Sequence, residues 1–280
     1  MPAMLTIHDH SRDSAGMKYV YPVVSRRAGG VSVGINLNVN NACNWACIYC
    51  QVPDLKRGGP PAIDLPRLEA ELHEFLREAV SGDFLDKNAP PGFRKLVDVA
   101  FSGNGEPTSA REFPDAVDIA GRQLEQFGLL GTVKLRLITN GSLLHQASVQ
   151  RGIARIGERG GEVWFKIDRG TAAGILRVNG TRTTPGKLRK AVSTCAQLAP
   201  TWVQTCLFAI DGKPIDAAEF DAYLELVASI RNRIEGVHLY GLARPSLQPE
   251  ATRLSALSAE SLSSFAQRIA ALGVRVIANP

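Results

Sequence analysis

The sequence has no apolar run long enough to span a bilayer, because its longest hydrophobic runs are about strand length and none approaches the ~18 residues of a membrane helix. Residues 1–16, MPAMLTIHDHSRDSAG, are polar and mixed in charge and lack the apolar core of a signal peptide. Lys and Arg form no dense block, although the net charge is +5. We therefore expect a cytoplasmic protein without membrane association, and the mild excess of positive charge is compatible with a phosphate-bearing partner such as RNA or with none.

Cysteine is scarce, with five residues in a chain of 280, yet three of them fall in the segment CNWACIYC at residues 43–50. In a reducing compartment an odd set of cysteines is expected to remain as thiols or metal ligands rather than to form disulfides. The spacing of Cys43, Cys47 and Cys50 therefore marks a candidate metal-binding loop. Cys195 lies in a predicted helix and is expected to belong to the core.

Short β-rich runs alternate with amphipathic stretches along most of the chain, which is typical of parallel strands joined by right-handed crossovers. Strands are predicted at residues 31–39, 96–103, 133–141, 162–168, 202–211 and 237–243, with a short terminal strand at 274–278. Helices are predicted over residues 65–80, 113–128, 185–199, 216–234 and 258–273. A chain of 280 residues fits one large domain, here residues 31–280, preceded by an arm or hairpin at residues 1–30.

Two architectures show this alternation, an open doubly wound sheet and a complete or partial (β/α) barrel, and both place functional groups at the carboxyl ends of their strands. Polar segments follow four consecutive predicted strands: CNWACIYC, SGNGEPT, TNGS and KIDRG. This arrangement favours a site shared around the rim of a barrel. No glycine-rich dinucleotide or P-loop fingerprint follows the first strand, which weakens the alternative of a nucleotide-binding sheet.

Three cysteines on one loop are compatible with a zinc site, with a redox-active cysteine pair that does not use the third thiol, or with an iron–sulfur cluster. Structural zinc sites have four ligands, commonly as two C-x2-C pairs, and the sequence has no second pair. A redox function for Cys47 and Cys50 leaves Cys43 without a role. A [4Fe–4S] cluster held by three cysteines keeps one iron open to a ligand, as catalytic zinc sites keep one position open. We favour the cluster, with zinc and redox chemistry as the alternatives.

The C-x3-C-x2-C spacing, with the aromatic Tyr49 before the last cysteine, resembles the radical S-adenosylmethionine (radical SAM) superfamily. SGNGEPT resembles the Gly-Gly-Glu motif of that family's second strand, and ITNGS and FKIDRG resemble its third- and fourth-strand segments. The resemblance covers most of residues 31–243 and implies an α/β fold, a partial (β/α)6 TIM-like barrel. It further implies a [4Fe–4S] cluster on Cys43, Cys47 and Cys50, with S-adenosylmethionine (SAM) bound at the open iron.

The resemblance implies a set of cofactor-binding residues: Tyr49, Gly103, Asn104, Gly105, Glu106, Asn140, Lys166, Asp168 and Gln204. Glu106 is an acceptor-only carboxylate that suits the SAM ammonium group, and the glycines beside it allow the backbone to approach a ligand closely. Asn140 and Gln204 can hydrogen-bond the ribose or carboxylate, and Lys166 and Asp168 can do the same. Structural interpretations stay open: a helix-start acid for Glu106 and an Asn-Gly turn for Asn140. Lys166 could instead lie at the edge of the sheet with its charge in solvent, and Asp168 could cap the turn that follows it.

In the radical SAM family the reduced cluster cleaves SAM to methionine and a 5′-deoxyadenosyl radical that abstracts hydrogen from a substrate. The resemblance implies such an enzyme here, with an electron donor such as flavodoxin or ferredoxin. CNWACIYCQ, FSGNGEPT and ITNGSLL resemble the branch related to wyosine-type tRNA modification, so a tRNA base or nucleoside is a candidate substrate. Residues 1–42 contain no cysteine for the second cluster that those enzymes share, which favours a relative with a changed substrate.

Two further residues are candidates for contact with the substrate. Cys206 alternates with Gln204 and Phe208 on one strand face and is a candidate hydrogen-atom donor, with inert packing as the alternative. Arg244, in the irregular stretch 243–257, is a candidate substrate-binding residue, with a plain surface loop as the alternative. Two other functional classes stay open: an iron–sulfur redox or sensor protein that does not cleave SAM, and an RNA-binding module without catalysis.

Overall fold

The computed structural model describes residues 4–6, 15–25 and 28–279. The remaining parts of the predicted N-terminal arm, residues 1–3, 7–14 and 26–27, lie outside the described residues. Within the described ranges, no helix combines the length and the apolar character that crossing a membrane requires.

A central sheet of eight strands carries the fold. Its strands are β1 Val20–Ser25, β2 Gly30–Ile35, β5 Leu96–Phe101, β6 Lys134–Thr139, β7 Glu162–Lys166, β8 Thr201–Cys206, β10 Gly236–Tyr240 and β12 Val276–Asn279. Two short pairs lie outside it: β3 Ala42–Cys43 with β4 Lys56–Arg57, and β9 Ala209–Ile210 with β11 Leu254–Ser255. The order in the large sheet is β1-β2-β5-β6-β7-β8-β10-β12.

The seven strands from β2 to β12 in the large sheet are parallel, and β1 pairs antiparallel with β2. The predicted strands are therefore confirmed, including the short terminal one, which joins the sheet beside β10. The end of the predicted arm is itself a sheet strand, since β1 and β2 form a hairpin with Val20 opposite Ile35.

Helices connect the parallel strands. They are α1 Leu65–Ser81, α2 Phe84–Asn88, α3 Phe113–Gln126, α4 Ala147–Glu158, α5 Ala172–Asn179, α6 Pro185–Leu198, α7 Ala217–Ala228 and α8 Ala259–Ala270. Side-chain caps begin several of them: Asp64 accepts from Arg67 N at 3.1 Å, and Thr184 and Asp216 cap α6 and α7 in the same way. Helices α2, α4 and α5 were not predicted from the sequence.

Alternation along each strand separates an apolar outer face from a polar inner one. Outward residues such as Val99, Leu137 and Phe165 are fully buried against the helices, where each contributes about 1.5–3 kcal/mol to stability. Inward residues line one cavity: Asp98, Ala100, Arg136, Ile138, Trp164, Lys166, Gln204 and Cys206. Residues of both terminal strands, β1 and β12, also line this cavity, so the sheet curls into an open part-barrel.

Candidate cofactor site

The three clustered cysteines lie on the loop after β2, at the carboxyl end of the first parallel strand. Cys43 belongs to β3 and pairs with Arg57 of β4. Cys50 follows one turn after Cys47, and its amide donates to the Cys47 carbonyl at 3.0 Å. All three residues are half-buried and line the barrel cavity. The loop therefore presents three thiols to one cavity wall.

The end of helix α5 holds the first half of this loop. Ala46 N donates to the Asn179 carbonyl at 3.1 Å, and Ile48 N donates to the Val178 carbonyl at 2.9 Å. The Asn179 side-chain amide also donates to Cys47 Sγ at 3.4 Å. Asn179 thus fixes both the backbone of the loop and one of its thiols, a function that the sequence did not indicate.

A segment after β10, residues 244–248, holds the second half of the loop. Ser246 Oγ donates to the Ile48 carbonyl at 2.7 Å, and Gln248 Nε2 donates to the Val52 carbonyl at 2.8 Å. The Cys50 carbonyl accepts from Leu247 N, Ser246 Oγ and Gln248 Nε2 at 2.9, 3.2 and 3.2 Å. This segment is part of the predicted substrate loop, and its observed contacts position Cys50.

Arg244, the predicted substrate-binding residue, lines the cavity beside the residue that follows the last cysteine. Its Nε donates to Gln51 Oε1 at 3.0 Å, and Gln51 Nε2 donates to the Arg244 carbonyl at 3.1 Å. The two residues close the same end of the cavity. A contact between Arg244 and substrate stays a prediction.

Burial favours the neutral form of two of the thiols. It raises the pKa of Cys43 to about 11 and the pKa of Cys47 to about 12, and the nearby Cys50 adds to both increases. Hydrogen bonds from Trp45 N to Cys43 and from Asn179 to Cys47 act in the opposite direction. Iron binds the thiolate, so metal binding at these residues must displace protons.

The cavity has a volume of about 460 Å³, within the usual range for small-molecule sites. Most of the predicted site residues line it: Cys43, Cys47, Tyr49, Cys50, Gly103, Asn104, Gly105, Glu106, Asn140, Lys166, Gln204, Cys206 and Arg244. Residues from the ends of six parallel strands (β2, β5, β6, β7, β8 and β10) therefore meet in one cavity, as the barrel-rim interpretation predicted.

Glu106 is buried at 2% exposure and lies between the second and third parallel strands. Its Oε1 accepts from Thr108 Oγ1 and Thr139 Oγ1 at 2.7 and 2.6 Å, and its Oε2 accepts from Asn140 N at 2.6 Å. Burial raises the pKa of this carboxyl, while the hydrogen bonds from Asn140, Thr139 and Thr108 oppose the shift. The carboxylate has donors to hold it and still faces the cavity.

The glycines on either side of Asn104 are required by packing within the protein. Gly103 has φ +131, a backbone conformation that favours glycine. A Cβ on Gly105 would lie 2.2 Å from the Ala42 carbonyl oxygen. Gly105 thereby lets the second-strand motif pack against the start of the cysteine loop. Both glycines also line the cavity, and the predicted close approach to a ligand stays a prediction.

The two predicted asparagines bind the cysteine loop as well as lining the cavity. Asn104 Nδ2 donates to Asn41 Oδ1 at 2.7 Å, whereas its buried Oδ1 has no hydrogen-bond partner among the described residues. Asn140 Nδ2 donates to Asn44 Oδ1 at 2.9 Å, and its Oδ1 accepts from Ser142. Asn104 thus has an acceptor left for a ligand, while the Asn140 side chain is already used to hold the loop.

Lys166 places a cation in the cavity under the aromatic residue of the cysteine loop. Its Nζ lies 4.9 Å from the centre of the Tyr49 ring and 3.3 Å from the Tyr240 hydroxyl. Burial lowers the pKa of Lys166, but Tyr240, Asp168 and Cys47 raise it, and the net effect is an increase. The ammonium therefore stays charged at neutral pH and suits an anionic ligand group.

Gln204, one strand further along, is buried at 1% exposure and lines the cavity. Its Nε2 has no hydrogen-bond partner among the described residues. A buried donor without a partner usually marks the place of a water, ion or ligand. The observation fits the predicted contact with SAM, which stays a prediction.

Asp168 lies behind the cavity wall instead of on it. Its Oδ2 accepts from the Tyr49 hydroxyl at 2.6 Å and from Asn179 Nδ2 at 2.7 Å, and its Oδ1 accepts from Cys206 N at 2.9 Å. The carboxylate thereby joins three elements that surround the cysteines. This geometry favours a positioning role over the direct cofactor contact that we predicted.

Cys206, the predicted hydrogen-atom donor, lines the cavity and is 1% exposed.

The far end of the cavity contains a buried charge cluster that the sequence analysis did not identify. Arg136 pairs with Asp98, and with Glu162 at 2.8 Å, and its guanidinium lies 4.1 Å from the Trp164 ring. Asp98 also accepts from Ser32 Oγ. We call Ser32, Asp98, Arg136, Glu162 and Trp164 the floor of the cavity. The alternation of polar and apolar residues within β5 and β6 was the available signal.

The residues present fit a [4Fe–4S] cluster with SAM, because three cysteines and several polar side chains line one cavity. In the part of the chain that the structure describes, no three His, Cys, Asp or Glu side chains converge as ligands of one ion do. A [4Fe–4S] cluster is held by thiolates, and the thiols of Cys43, Cys47 and Cys50 line one cavity, as such a cluster requires. The partnerless Gln204 Nε2 and Asn104 Oδ1 face the same cavity and suit a polar ligand there.

Solved structures share this architecture at low sequence identity. TYW1 with a lysine-pyruvate adduct bound has a TM-score of 0.56 and 15% identity, over 88% of this chain and 74% of that one. A radical SAM methyltransferase from Sphaerobacter thermophilus has a TM-score of 0.61 and 16% identity, over 93% and 68%. Streptococcus suis SuiB bound to S-adenosylmethionine has a TM-score of 0.54 and 12% identity, over 90% and 47%. The chain therefore has the fold of radical SAM enzymes, and the predicted partial barrel is confirmed.

Sequence comparisons reach only part of the chain. No protein-family model matches it. A UPF0026 protein of Helicobacter pylori is 30% identical over 135 residues, which is 47% of this chain and 37% of that protein. A GTPase Obg of Brachyspira hyodysenteriae is 27% identical over 130 residues, 46% of this chain and 16% of that protein. The chain thus matches well under half the length of these curated relatives.

Proposed function

We propose that this protein is a radical SAM enzyme whose cavity binds one [4Fe–4S] cluster and SAM. When bound, the reduced cluster supplies an electron that cleaves SAM, and the resulting 5′-deoxyadenosyl radical abstracts hydrogen from the substrate. The supporting observation is that Cys43, Cys47 and Cys50 line the same cavity as Glu106 and Lys166, inside a barrel of the matching fold.

The remaining residues have roles that follow from their chemistry. Glu106 Oε2 accepts from Asn140 N and, as a carboxylate oxygen, has a further lone pair for the SAM ammonium group. Lys166 carries the charge that a SAM carboxylate or a substrate anion requires, and Gln204 Nε2 can donate to the same polar group. Burial of Glu106 and Gln204 keeps water away from the reacting atoms.

A tRNA base or a nucleoside is the substrate class that we propose to test first. The support is the resemblance of three motifs to the branch that modifies tRNA, together with the likeness of the fold to TYW1. A macromolecular substrate would present its reacting group to the cavity by inserting a single base. Oxygen-sensitive chemistry of this kind places the protein in the reducing cytoplasm, with flavodoxin or ferredoxin as electron donor.

Formation of 5′-deoxyadenosine tests the proposal. Anaerobically reconstituted protein is incubated with SAM and dithionite, and the product is followed by chromatography. We expect product from the wild type and from Cys195→Ala, whose thiol is buried in α6 outside the cavity, and none from Cys47→Ala. Absence of product from wild-type protein with a full cluster, in the presence of tRNA or cell extract, would instead favour the redox or sensor function.

A further inference from the structure

Directly behind the cysteine loop, one stretch of the chain contains cations but no acids. From residue 169 to residue 210 the sequence has neither Asp nor Glu. Its basic residues are Arg169, Arg177, Arg182, Lys187, Arg189 and Lys190. Arg169 is buried beside Asp168, and the other five are exposed. The stretch covers α5, α6 and the turn between them, so this positive charge is concentrated on one side of the barrel.

Part of this charge lies next to the cysteine loop. The guanidinium of Arg57 donates to the carbonyls of Asn44 and Gly180, which brings β4 against the end of α5. Arg177 precedes this contact by three residues, and Arg182 follows it by two. Lys187 lies in the first turn of the next helix. We call Arg57, Arg177, Arg182 and Lys187 the basic face.

The charge of the basic face is not neutralised within the described part of the chain. None of its four residues forms a salt bridge there. The carboxylate whose pKa Arg177 helps to lower, Asp211, is already paired with Arg253 at 2.7 Å and is also near Lys213. The field around this face is therefore positive, which attracts an anionic partner.

The basic face is close to a predicted cluster ligand. Asn179, two residues after Arg177, donates to Cys47 Sγ at 3.4 Å, and its carbonyl accepts from Ala46 N. The neighbouring Leu176 is a large apolar side chain that is 49% exposed. An apolar contact rimmed by charge is the composition of a small transient protein interface.

The position of the basic face suits a protein that delivers electrons to the cluster. None of its four residues lines the cavity, so none of them can contact the reacting group of a substrate there. Arg57 of this face is linked to the Cys47 thiol by two hydrogen bonds, one to the Gly180 carbonyl and one from the adjacent Asn179 side chain to Cys47 Sγ. An electron carrier has to come close to the cluster, but it does not have to enter the cavity.

We propose that the basic face, with Leu176 at its edge, is the docking surface for an acidic one-electron carrier protein. In the complex one electron passes from the reduced carrier to the cluster, which changes from the 2+ to the 1+ state while the carrier is oxidised; no covalent bond breaks in this step. The inference rests on the proposed function, because it requires the cluster at Cys43, Cys47 and Cys50.

Charge reversal tests the docking surface. The double variant Arg177→Glu/Arg182→Glu is compared with Arg231→Glu/Arg233→Glu, which makes the same charge change on exposed residues at the opposite end of the barrel, before β10. Stopped-flow absorbance follows reduction of the reconstituted cluster by flavodoxin hydroquinone, an acidic carrier, and in parallel by dithionite. Filter binding measures the affinity of each variant for tRNA.

We expect the flavodoxin rate constant to fall at least about tenfold in Arg177→Glu/Arg182→Glu and to change less than about twofold in the control pair. The wild-type rate should decrease with ionic strength, and the dithionite rate should be similar in all three proteins. An unchanged flavodoxin rate would overturn the proposal, and a loss of tRNA binding with that rate intact would assign the face to RNA. The proposed function would fail on its own if dithionite-reduced wild type formed no 5′-deoxyadenosine, even though the rate of reduction by flavodoxin still differed between the variants.

Discussion

The two ends of the cavity differ in how their polar groups are satisfied. At the floor, Arg136 neutralises Asp98 and Glu162 and lies against Trp164, so the charges find partners within the protein. At the wall near the cysteines, Gln204 Nε2 and Asn104 Oδ1 are buried without partners among the described residues, and the Lys166 ammonium donates to the Tyr240 hydroxyl and not to a carboxylate.

This difference distinguishes groups that stabilise the barrel from groups that are arranged for a ligand. A buried polar atom without a partner costs about 1–3 kcal/mol of stability, which a protein recovers only when something binds there. We therefore assign the floor to structure and the wall near the cysteines to binding. The predictions that follow test whether the two ends respond to substitution in different ways.

The largest effect is expected at the floor. Arg136→Leu leaves the buried carboxylate of Asp98 and the partly buried carboxylate of Glu162 without a counter-charge and should lower the free energy of unfolding by about 3–5 kcal/mol. Urea denaturation followed by circular dichroism measures the change. Arg122→Leu is the control, because its ion pair with Glu69 is largely exposed and should contribute less than about 1 kcal/mol. If the two substitutions lowered the free energy of unfolding by the same amount, the structural role that we assign to the floor would be contradicted.

An intermediate effect, on binding, is expected at Glu106. Glu106→Gln removes the anion that we assign to the SAM ammonium group, and charged hydrogen bonds contribute about 1.5–3 kcal/mol, so SAM affinity should fall by roughly ten- to a hundredfold. Iron content and the visible spectrum of the cluster should be retained. Calorimetry on reconstituted protein provides the affinity, with Glu125→Gln on the exposed side of α3 as control. Wild-type affinity in Glu106→Gln would contradict the assignment.

The smallest effect is expected at two glutamines, where substitution by leucine should change the free energy of unfolding in opposite directions. Gln204→Leu removes a donor that has no partner, so the free energy of unfolding without SAM should stay level or rise by up to about 1 kcal/mol. Gln123→Leu removes the hydrogen bond to His73 at 3.0 Å in the helical layer and should cost about 1 kcal/mol. SAM affinity should fall only in Gln204→Leu, by about fivefold. Destabilisation of both variants to the same degree would show that Gln204 has a structural partner.

The sequence predicted the sheet well because its signals are local. Period-two alternation and β-branched residues identify the parallel strands, and the polar segments at their ends indicated where the site lies. Helix α4 escaped notice because its sequence, ASVQRGIARIGE, contains two glycines and its N-cap residue, Gln146, makes no capping hydrogen bond. Helix α5 is only eight residues long, and its amphipathic pattern is correspondingly short.

The site residues that the sequence missed depend on long-range hydrogen bonds. Ser246 and Gln248 bind carbonyls of the cysteine loop that lie almost 200 residues earlier, and such contacts leave no motif in either segment. Asp168 is a predicted site residue whose long-range contact was likewise not visible in its local sequence. It follows a strand, as a ligand would, but the Tyr49 hydroxyl 119 residues earlier takes its carboxylate. The pattern within one strand could not indicate this pairing.

Electron paramagnetic resonance of the reduced protein tests the central claim most directly. The protein is reconstituted anaerobically, reduced with dithionite and measured with and without SAM, beside Cys47→Ala. Three cysteines that leave one iron open predict a [4Fe–4S] signal whose g-values change when SAM is added, and no such signal in the variant. A wild-type cluster signal that SAM leaves unaltered, or the absence of a cluster in protein supplied with iron and sulfide, would contradict the account.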